Sequence, residues 1–148
     1  MTETIHGTIT LPDKIDITDP CYDEDVWCRI NNFPITAGEY ECYTLVAEDY
    51  ETCGWGKRVA RIGIRMDKSD DYERKGMIGV DAGMAGFFNC DNRKVFEEYY
   101  HYTTHDVFKT DNAFWSSSGY GDGTYEVYAG YKNGKIVEVY IEFIGEDE

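Results

Sequence analysis

Three segments of the chain place an aspartate beside glycine or proline, a pattern typical of tight turns. They are residues 17–23, 79–83 and 118–125, and their aspartates are Asp19, Asp81 and Asp122. If the three turns meet at one end of a sheet, these carboxylates would be crowded. Crowded carboxylates need a cation, a shared proton or amide donors. The three segments are therefore the first place where the sequence suggests a site.

Two interpretations of these turns stay open. In one, Asp19, Asp81 and Asp122, with Tyr22 and Tyr120 nearby, form a small-ligand or metal site that could support a hydrolase. In the other, each aspartate accepts hydrogen bonds from its own turn, which is the commonest use of Asp beside Gly and Pro. We favour the second, because the ligand order of a calcium loop is absent.

Other catalytic patterns are weak. His101 and His105 are four residues apart and would share a face of a helix, but no glutamate follows His101 as a metalloprotease motif requires. Ser116, Ser117 and Ser118 lack the Gly-x-Ser-x-Gly pattern of a nucleophile elbow. We therefore predict no catalytic residue, no bound metal and no cofactor, and favour a non-enzymatic protein.

Charge is the strongest global feature. The chain of 148 residues has 29 acidic and 14 basic residues, a net charge of -15, and 16% aromatic residues. A chain this aromatic can bury a core, so the acidity indicates the surface of a folded domain. Seven of the basic residues lie between Lys57 and Lys75. On a strand, Arg61 and Arg65 could pair with Glu39 and Glu41 across a sheet.

An acidic surface repels nucleic acid and attracts basic proteins, and tyrosine suits protein interfaces because it joins a large contact area to a polar tip. We therefore expect a basic, nucleic-acid-binding protein as partner, with no direct binding of nucleic acid or membrane. The candidate partner-binding residues are Asp23, Glu24, Asp25, Glu97, Glu98, Tyr99 and Tyr100. The function predicted is an inhibitor that mimics the charge of nucleic acid.

Alternation of apolar and polar residues predicts strands at residues 38–48 and 55–66, short β-type runs predict strands at 5–11 and 14–18, and residues 77–81 read as a short buried strand. Residues 82–86 read as a small-residue turn. Residues 124–131 and 135–144 predict a hairpin, because Asn133-Gly134 favours a type I′ turn. Asn92 to Phe108 predicts one helix, with Asp91 as its cap. We expect an α+β fold: a mainly antiparallel, twisted sheet of six to eight strands, as a sandwich or partial barrel, with the helix packed on it.

The length fits a single domain over residues 1–148. The N-terminus has no pattern of a secretory signal, and no apolar run approaches the length of a membrane span, so we expect a cytoplasmic protein. Five cysteines without metal-site spacing indicate free thiols. The sequence leaves open whether the chain forms a homo-oligomer.

Short motifs at the same turns resemble a family of small bacterial and phage proteins defined only as a domain of unknown function. The similar residues are 18–21 (Thr-Asp-Pro-Cys), 80–87 (Val-Asp-Ala-Gly-Met-Ala-Gly-Phe), 118–123 (Ser-Gly-Tyr-Gly-Asp-Gly) and 141–143 (Ile-Glu-Phe). The resemblance implies a compact β-rich domain with a site or structural knot near these turns, and it implies no activity. In size and charge the chain is also similar to phage-encoded inhibitors of bacterial defence, including anti-CRISPR proteins.

Overall fold

The computed structural model describes residues 1–22, 27–47 and 56–145. Within these ranges the chain forms eleven strands and one helix. The strands are β1 (Thr2–Leu11), β2 (Lys14–Thr18), β3 (Ile30–Pro34), β4 (Gly38–Ala47), β5 (Arg58–Arg65), β6 (Asp71–Val80), β7 (Met84–Phe88), β8 (Val107–Lys109), β9 (Ala113–Ser117), β10 (Gly123–Lys132) and β11 (Lys135–Glu142), and the helix is α1 (Asn92–Glu98).

The strands form two antiparallel sheets that pack against each other. The larger sheet has the order β1-β4-β5-β11-β10-β6, and the smaller has the order β3-β2-β7-β9-β8. One hydrophobic core joins them, with Ile62 and Ile141 from the larger sheet and Ile17 and Phe87 from the smaller. The sheets do not close into a barrel. The predicted α+β class with a mainly antiparallel sheet is confirmed, although the structure has more strands than the six to eight expected.

The strongest local predictions are confirmed. β10 and β11 form the hairpin, and its turn residues Asn133 and Gly134 have φ of 51° and 78°, as a type I′ turn requires. On β5 the alternation also holds, since Ile62 and Ile64 are buried while Arg61 is half-buried on the opposite face.

The prediction of a turn at residues 82–86 is wrong from Met84 onward, because β7 begins there. All five residues of β7 are buried, as are all five of its neighbour β9. A strand that is buried on both faces has no alternating pattern to reveal it. Gly86 permits this contact, since a Cβ at that position would meet the backbone of Phe114 and Trp115.

The helix begins where predicted and ends earlier. Asp91 caps it by accepting hydrogen bonds from the backbone N–H groups of Arg93 and Lys94, at 3.1 and 3.3 Å. The helix stops at Glu98, because Tyr99 has extended backbone angles, φ −132° and ψ 121°. The predicted extent to Phe108 is therefore wrong.

A turn replaces the second half of the predicted helix. The carboxylate of Asp106 accepts the backbone N–H groups of Tyr102 and Thr103, at 2.6 and 3.1 Å. Such a side chain offers the backbone an alternative to helical hydrogen bonds. His101 and His105 consequently do not share a helix face.

Helix α1 lies over a second, smaller apolar cluster on the smaller sheet. Its buried members include Phe88 and Trp115, and Val95 and Phe96 of the helix pack against it. In the described part of the chain this seven-residue helix is too short to cross a membrane.

Each edge strand of the two sheets has a feature that disfavours pairing with a further strand: a shifted register, a proline, a short length or exposed charges. In β1 the pairing shifts between Ile5 and Thr8, around Gly7 at φ 105°. β3 ends at Pro34, and β8 has three residues. β6 exposes a run of charged residues from Asp71 to Lys75.

Candidate functional site

The carboxylate of Asp19 joins two of the three aspartate turns. Asp19 is fully buried, and its oxygens accept the backbone N–H groups of Cys21 at 2.8 Å, Asp81 at 2.8 Å and Ala82 at 2.6 Å. Burial raises the pKa of Asp19, and the amide donors oppose that rise. Asp19 therefore accepts hydrogen bonds from its own turn and from a second turn that the sequence alone could not assign to it.

The third turn meets the other two at the same end of the molecule. The backbone N–H of Ser118 donates to the carbonyl of Gly83 at 2.9 Å. A Cβ on Gly83 would lie 2.8 Å from the ring of His101 and 4.0 Å from the Cα of Gly121. The close approach of three turns proposed from the sequence thus exists, and it is made mainly by backbone contacts.

The candidate ligand residues differ in their surroundings. Asp81 and Asp122 are exposed, and their carboxylates make no hydrogen bond or ion pair with a described residue. Tyr22 is half-buried, and its pKa is raised by burial and by a hydrogen bond with Cys28. Tyr120 is 40% exposed. Among residues 1–22, 27–47 and 56–145, no three His, Cys, Asp or Glu side chains are grouped to hold a metal ion.

Buried polar side chains hold the first turn in place. The side chain of Arg29 is 1% exposed, forms an ion pair with Asp16 at 3.0 Å and donates to the carbonyl of Tyr22 at 2.9 Å. Asn92, the first residue of α1, donates to the carbonyls of Pro20 and Tyr22 at 3.0 and 2.6 Å. The helix and the first turn therefore form one rigid junction.

Cys21, in the first aspartate turn, is a poor nucleophile. Cys21, Cys28, Cys42 and Cys90 are free thiols, and Cys53 lies outside the described residues. The pKa of Cys21 is raised to about 12 by burial and by the nearby charges of Asp19 and Asp81. A thiol with such a pKa is protonated near neutrality.

His101 and Ser117 form a contact that resembles a catalytic pair, but the hydrogen-bond directions oppose catalysis. Nδ1 of His101 lies 3.0 Å from Oγ of Ser117, and that hydroxyl donates to the carbonyl of Thr103 at 2.6 Å. Because the hydroxyl hydrogen of Ser117 is used in the hydrogen bond to Thr103, Ser117 can only accept a hydrogen bond from His101. The imidazole is therefore not placed to act as a general base that deprotonates Ser117. The contact instead fixes the segment between α1 and β8.

That segment, the end of α1 and the third turn together carry an exposed group of aromatic and acidic side chains. We call it the tyrosine surface; it comprises Glu97, Glu98, Tyr99, Tyr100, Tyr102 and Tyr120. Tyr102 is 91% exposed, and Tyr120 belongs to the group because it lines a cavity of about 90 Å³ together with His101. The carboxylates of Glu97 and Glu98 make no hydrogen bond or ion pair with a described residue.

The tyrosine surface brings together four of the seven partner-binding candidates. Asp23, Glu24 and Asp25 lie outside the described residues. Tyr102 was not among the candidates, because the predicted helix gave no reason for one tyrosine to be more exposed than its neighbours.

Two basic residues of β5, Arg61 and Arg65, have partners across the larger sheet. Arg65 pairs with Glu41 at 2.9 Å and Glu3 at 2.8 Å, and Arg61 pairs with Glu142 at 2.7 Å. The predicted pairing is thus confirmed for Glu41, whereas Glu39 lies opposite Thr10 of β1.

The charges also divide unevenly along the chain. Nine of the 29 acidic residues, and none of the basic ones, lie outside the described ranges.

No protein-family model matches the chain, and no significant match is found among curated proteins or solved structures.

Proposed function

We propose that this protein is a non-enzymatic binding protein that engages a basic protein through its tyrosine surface. The observation that carries the proposal is the pairing difference between two acidic regions. On the larger sheet Glu41 and Glu142 are neutralised by arginines, whereas Glu97 and Glu98 have no partner among the described residues. Carboxylates without an internal cation are available to lysines and arginines of another protein.

Rigid aromatic anchors support the same proposal. The ring of Tyr99 contacts Trp115 and Phe108 with centroids 5.7 and 6.2 Å apart, so the base of the segment is fixed to the second apolar cluster. Tyr100 packs on Phe96 and on the ring of His101. Side chains that are already ordered lose little conformational entropy on binding, which favours affinity.

The partner class follows from charge. A basic surface that binds phosphates also attracts a surface of carboxylates and tyrosines, so the two compete for it. We propose that the protein inhibits a nucleic-acid-binding protein in this way, as a phage or mobile element would use it.

The proposal is tested in two steps. Retention of proteins from a native host lysate identifies a candidate partner, and titration of the purified pair then measures Kd at low and high salt. We expect affinity to fall about tenfold or more as salt rises, because interfacial ion pairs are screened. Added DNA should displace the protein from its partner.

A double variant, Glu97→Gln with Glu98→Gln, distinguishes the contribution of the tyrosine surface to binding from that of the protein's net charge. It should weaken binding about tenfold, since each pair near a surface contributes up to about 1 kcal/mol. The matched control, Asp13→Asn with Asp111→Asn, removes the same charge from two exposed turn positions and should bind as the wild type does. Equal loss in both variants, or affinity that ignores salt, would refute the proposal.

A further inference from the structure

The larger sheet carries a buried carboxylate on the face that points away from the core. Glu138 of β11 is 5% exposed, and its Oε1 accepts the hydroxyls of Ser69 at 3.1 Å and Tyr72 at 3.0 Å. Its Oε2 accepts the hydroxyl of Tyr43, a residue of β4. The carboxylate is thus held by three neutral hydroxyl groups.

Two glycines create the recess in which this carboxylate lies. Gly63 of β5 leaves room for the ring of Tyr43, and a Cβ there would meet that ring. Gly130 of β10 lies opposite Glu138 in the hairpin, and a Cβ there would meet the side chain of Ser69. Both close approaches direct hydroxyl groups at Glu138, so the sheet is shaped around this acid.

Glu138 has no cationic side chain of a described residue within ion-pair distance. Arg65 is its register neighbour on β5, but that guanidinium pairs with Glu3 and Glu41 and lies over the ring of Tyr43, 4.3 Å from the ring centroid. A buried carboxylate without a counter-ion is costly. Burial and the charge of Glu138 also raise the pKa of the neighbouring Tyr43.

Glu138 is among the residues that line a cavity on this face of the sheet. The cavity measures about 450 Å³, within the size range of sites for small molecules. Its lining includes Glu41, Arg65, Lys68, Ser69, Tyr72 and Glu138. With the ion-paired Asp67 also in its wall, three acids and two bases face the space, so the lining is net negative.

We propose that this cavity binds a small organic cation through a primary ammonium group that donates to Glu138. The ammonium supplies the positive charge that the described side chains do not place on this acid. The ring of Tyr72, 54% exposed at the cavity wall, supplies a face for the cation or for the carbon chain behind it. This site lies on the outer face of the larger sheet, and it does not depend on the proposed protein partner.

The probe is 1,4-diaminobutane, with sodium chloride at equal ionic strength as the reference. Titration calorimetry measures its Kd, and thermal unfolding measures the rise in Tm that a ligand of the native state causes. In Glu138→Gln, which keeps the shape of the side chain, affinity should fall about tenfold or more because a charge-assisted hydrogen bond is lost. Glu126→Gln is the matched control: Glu126 is on β10 of the same sheet, where it pairs with Arg74 at 2.6 Å, and its variant should bind normally.

The bis(trimethylammonium) analogue of 1,4-diaminobutane separates hydrogen bonding from simple charge. It has the same four-carbon chain and the same two positive charges as the protonated diamine but no N–H, so it should bind more weakly than the diamine by about tenfold. Equal affinity for the two cations would overturn the assignment of an ammonium hydrogen bond.

Amide NMR of the wild-type protein decides the matter even if Glu138→Gln does not fold. Addition of the diamine should shift the signals of Ser69, Tyr72 and Glu138. Shifts confined to the tyrosine surface, absence of binding, or an unchanged Kd in a folded Glu138→Gln protein would each overturn the proposal.

Discussion

Replacing Asp19 with alanine should loosen the junction at which the aspartate turns meet. In the wild type this buried carboxylate satisfies three backbone N–H groups, those of Cys21, Asp81 and Ala82. Alanine offers no acceptor to any of them.

The magnitude follows from the hydrogen bonds that are lost. A donor left without a partner costs about 1–3 kcal/mol when buried, and the three amides here are partly buried, which places each near the lower end. Removing the carboxylate also relieves the cost of burying it, the cost that raises its pKa. Three amides at about 1 kcal/mol each give about 3 kcal/mol before this relief, so we expect a net loss of about 2–3 kcal/mol in the free energy of unfolding for Asp19→Ala.

Asp19→Asn should cost less. Its amide oxygen can keep the N–H groups of Asp81 and Ala82, which share Oδ2 in the wild type, while its NH₂ group would face the N–H of Cys21. One hydrogen bond is then lost and two donors oppose each other, for about 1–2 kcal/mol.

Urea unfolding followed by tryptophan fluorescence measures these differences, with an unchanged m value as evidence that the unfolded state is unaltered. Asp13→Ala is the matched control. Asp13, like Asp19, is next to a proline in the chain, but its side chain is exposed and makes no hydrogen bond with a described residue. Its replacement should stay within about 0.5 kcal/mol. If Asp19→Ala is no more harmful than Asp13→Ala, the junction does not depend on this carboxylate.

Two further predictions concern ionisation and close packing. Burial raises the pKa of Tyr40 and Tyr140 to about 12, above the value of about 10 in an unfolded chain, so the folded state keeps these protons longer and stability falls as pH rises from about 10 toward 12. The part of the tyrosinate absorbance that comes from Tyr40 and Tyr140 should therefore appear only above pH 10, together with loss of circular dichroism; complete ionisation of all tyrosines near pH 10 without unfolding would contradict this. Gly86→Ala should cost about 3 kcal/mol because its Cβ meets backbone, whereas Gly63→Ala, which meets the far end of the Tyr43 side chain and would displace its hydroxyl from Glu138, should cost less, about 2 kcal/mol. Thermal melting of both variants checks the order, and the reverse order would show that the backbone of β9 yields more easily than the ring.

Local sequence patterns predicted the strands that have one solvent-exposed face and the hairpin that has a distinctive turn. The Asn133-Gly134 turn and the alternation of β4 and β5 can each be recognised from neighbouring residues in the chain, without knowledge of the rest of the fold. β7 and β9 have no such contrast, because all their residues are buried. Their existence depends on a second layer that covers them, and a period-two pattern cannot show it.

The helix error has a different cause. Val95, Tyr99, Tyr102 and Asp106 recur at helical spacing, and this predicted a helix that continues to Phe108. The backbone N–H groups of Tyr102 and Thr103 donate to the carboxylate of Asp106, and these hydrogen bonds set the local conformation instead. A side chain competing for backbone groups changes a structure without changing its apolar period.

The candidate sites depended on contacts between distant parts of the chain. The positions of Asp19 and Asp81 at strand ends were enough to propose that their turns meet. They were not enough to predict which group accepts which hydrogen bond. Glu138 was missed altogether, because its partner Tyr43 is 95 residues away and the two meet only through the register of β4, β5 and β11. Sequence alternation marks Glu138 merely as one more outward residue.

The edges of the two sheets have a consequence for crowded solutions. A long, flat, regular edge invites a strand from another molecule to extend the sheet, which is a common route to aggregation. Here the shifted pairing of β1, the proline of β3, the short length of β8 and the exposed charges of β6 each interrupt such docking. The protein should therefore tolerate high concentration without forming fibrils, even where mutations weaken its interior.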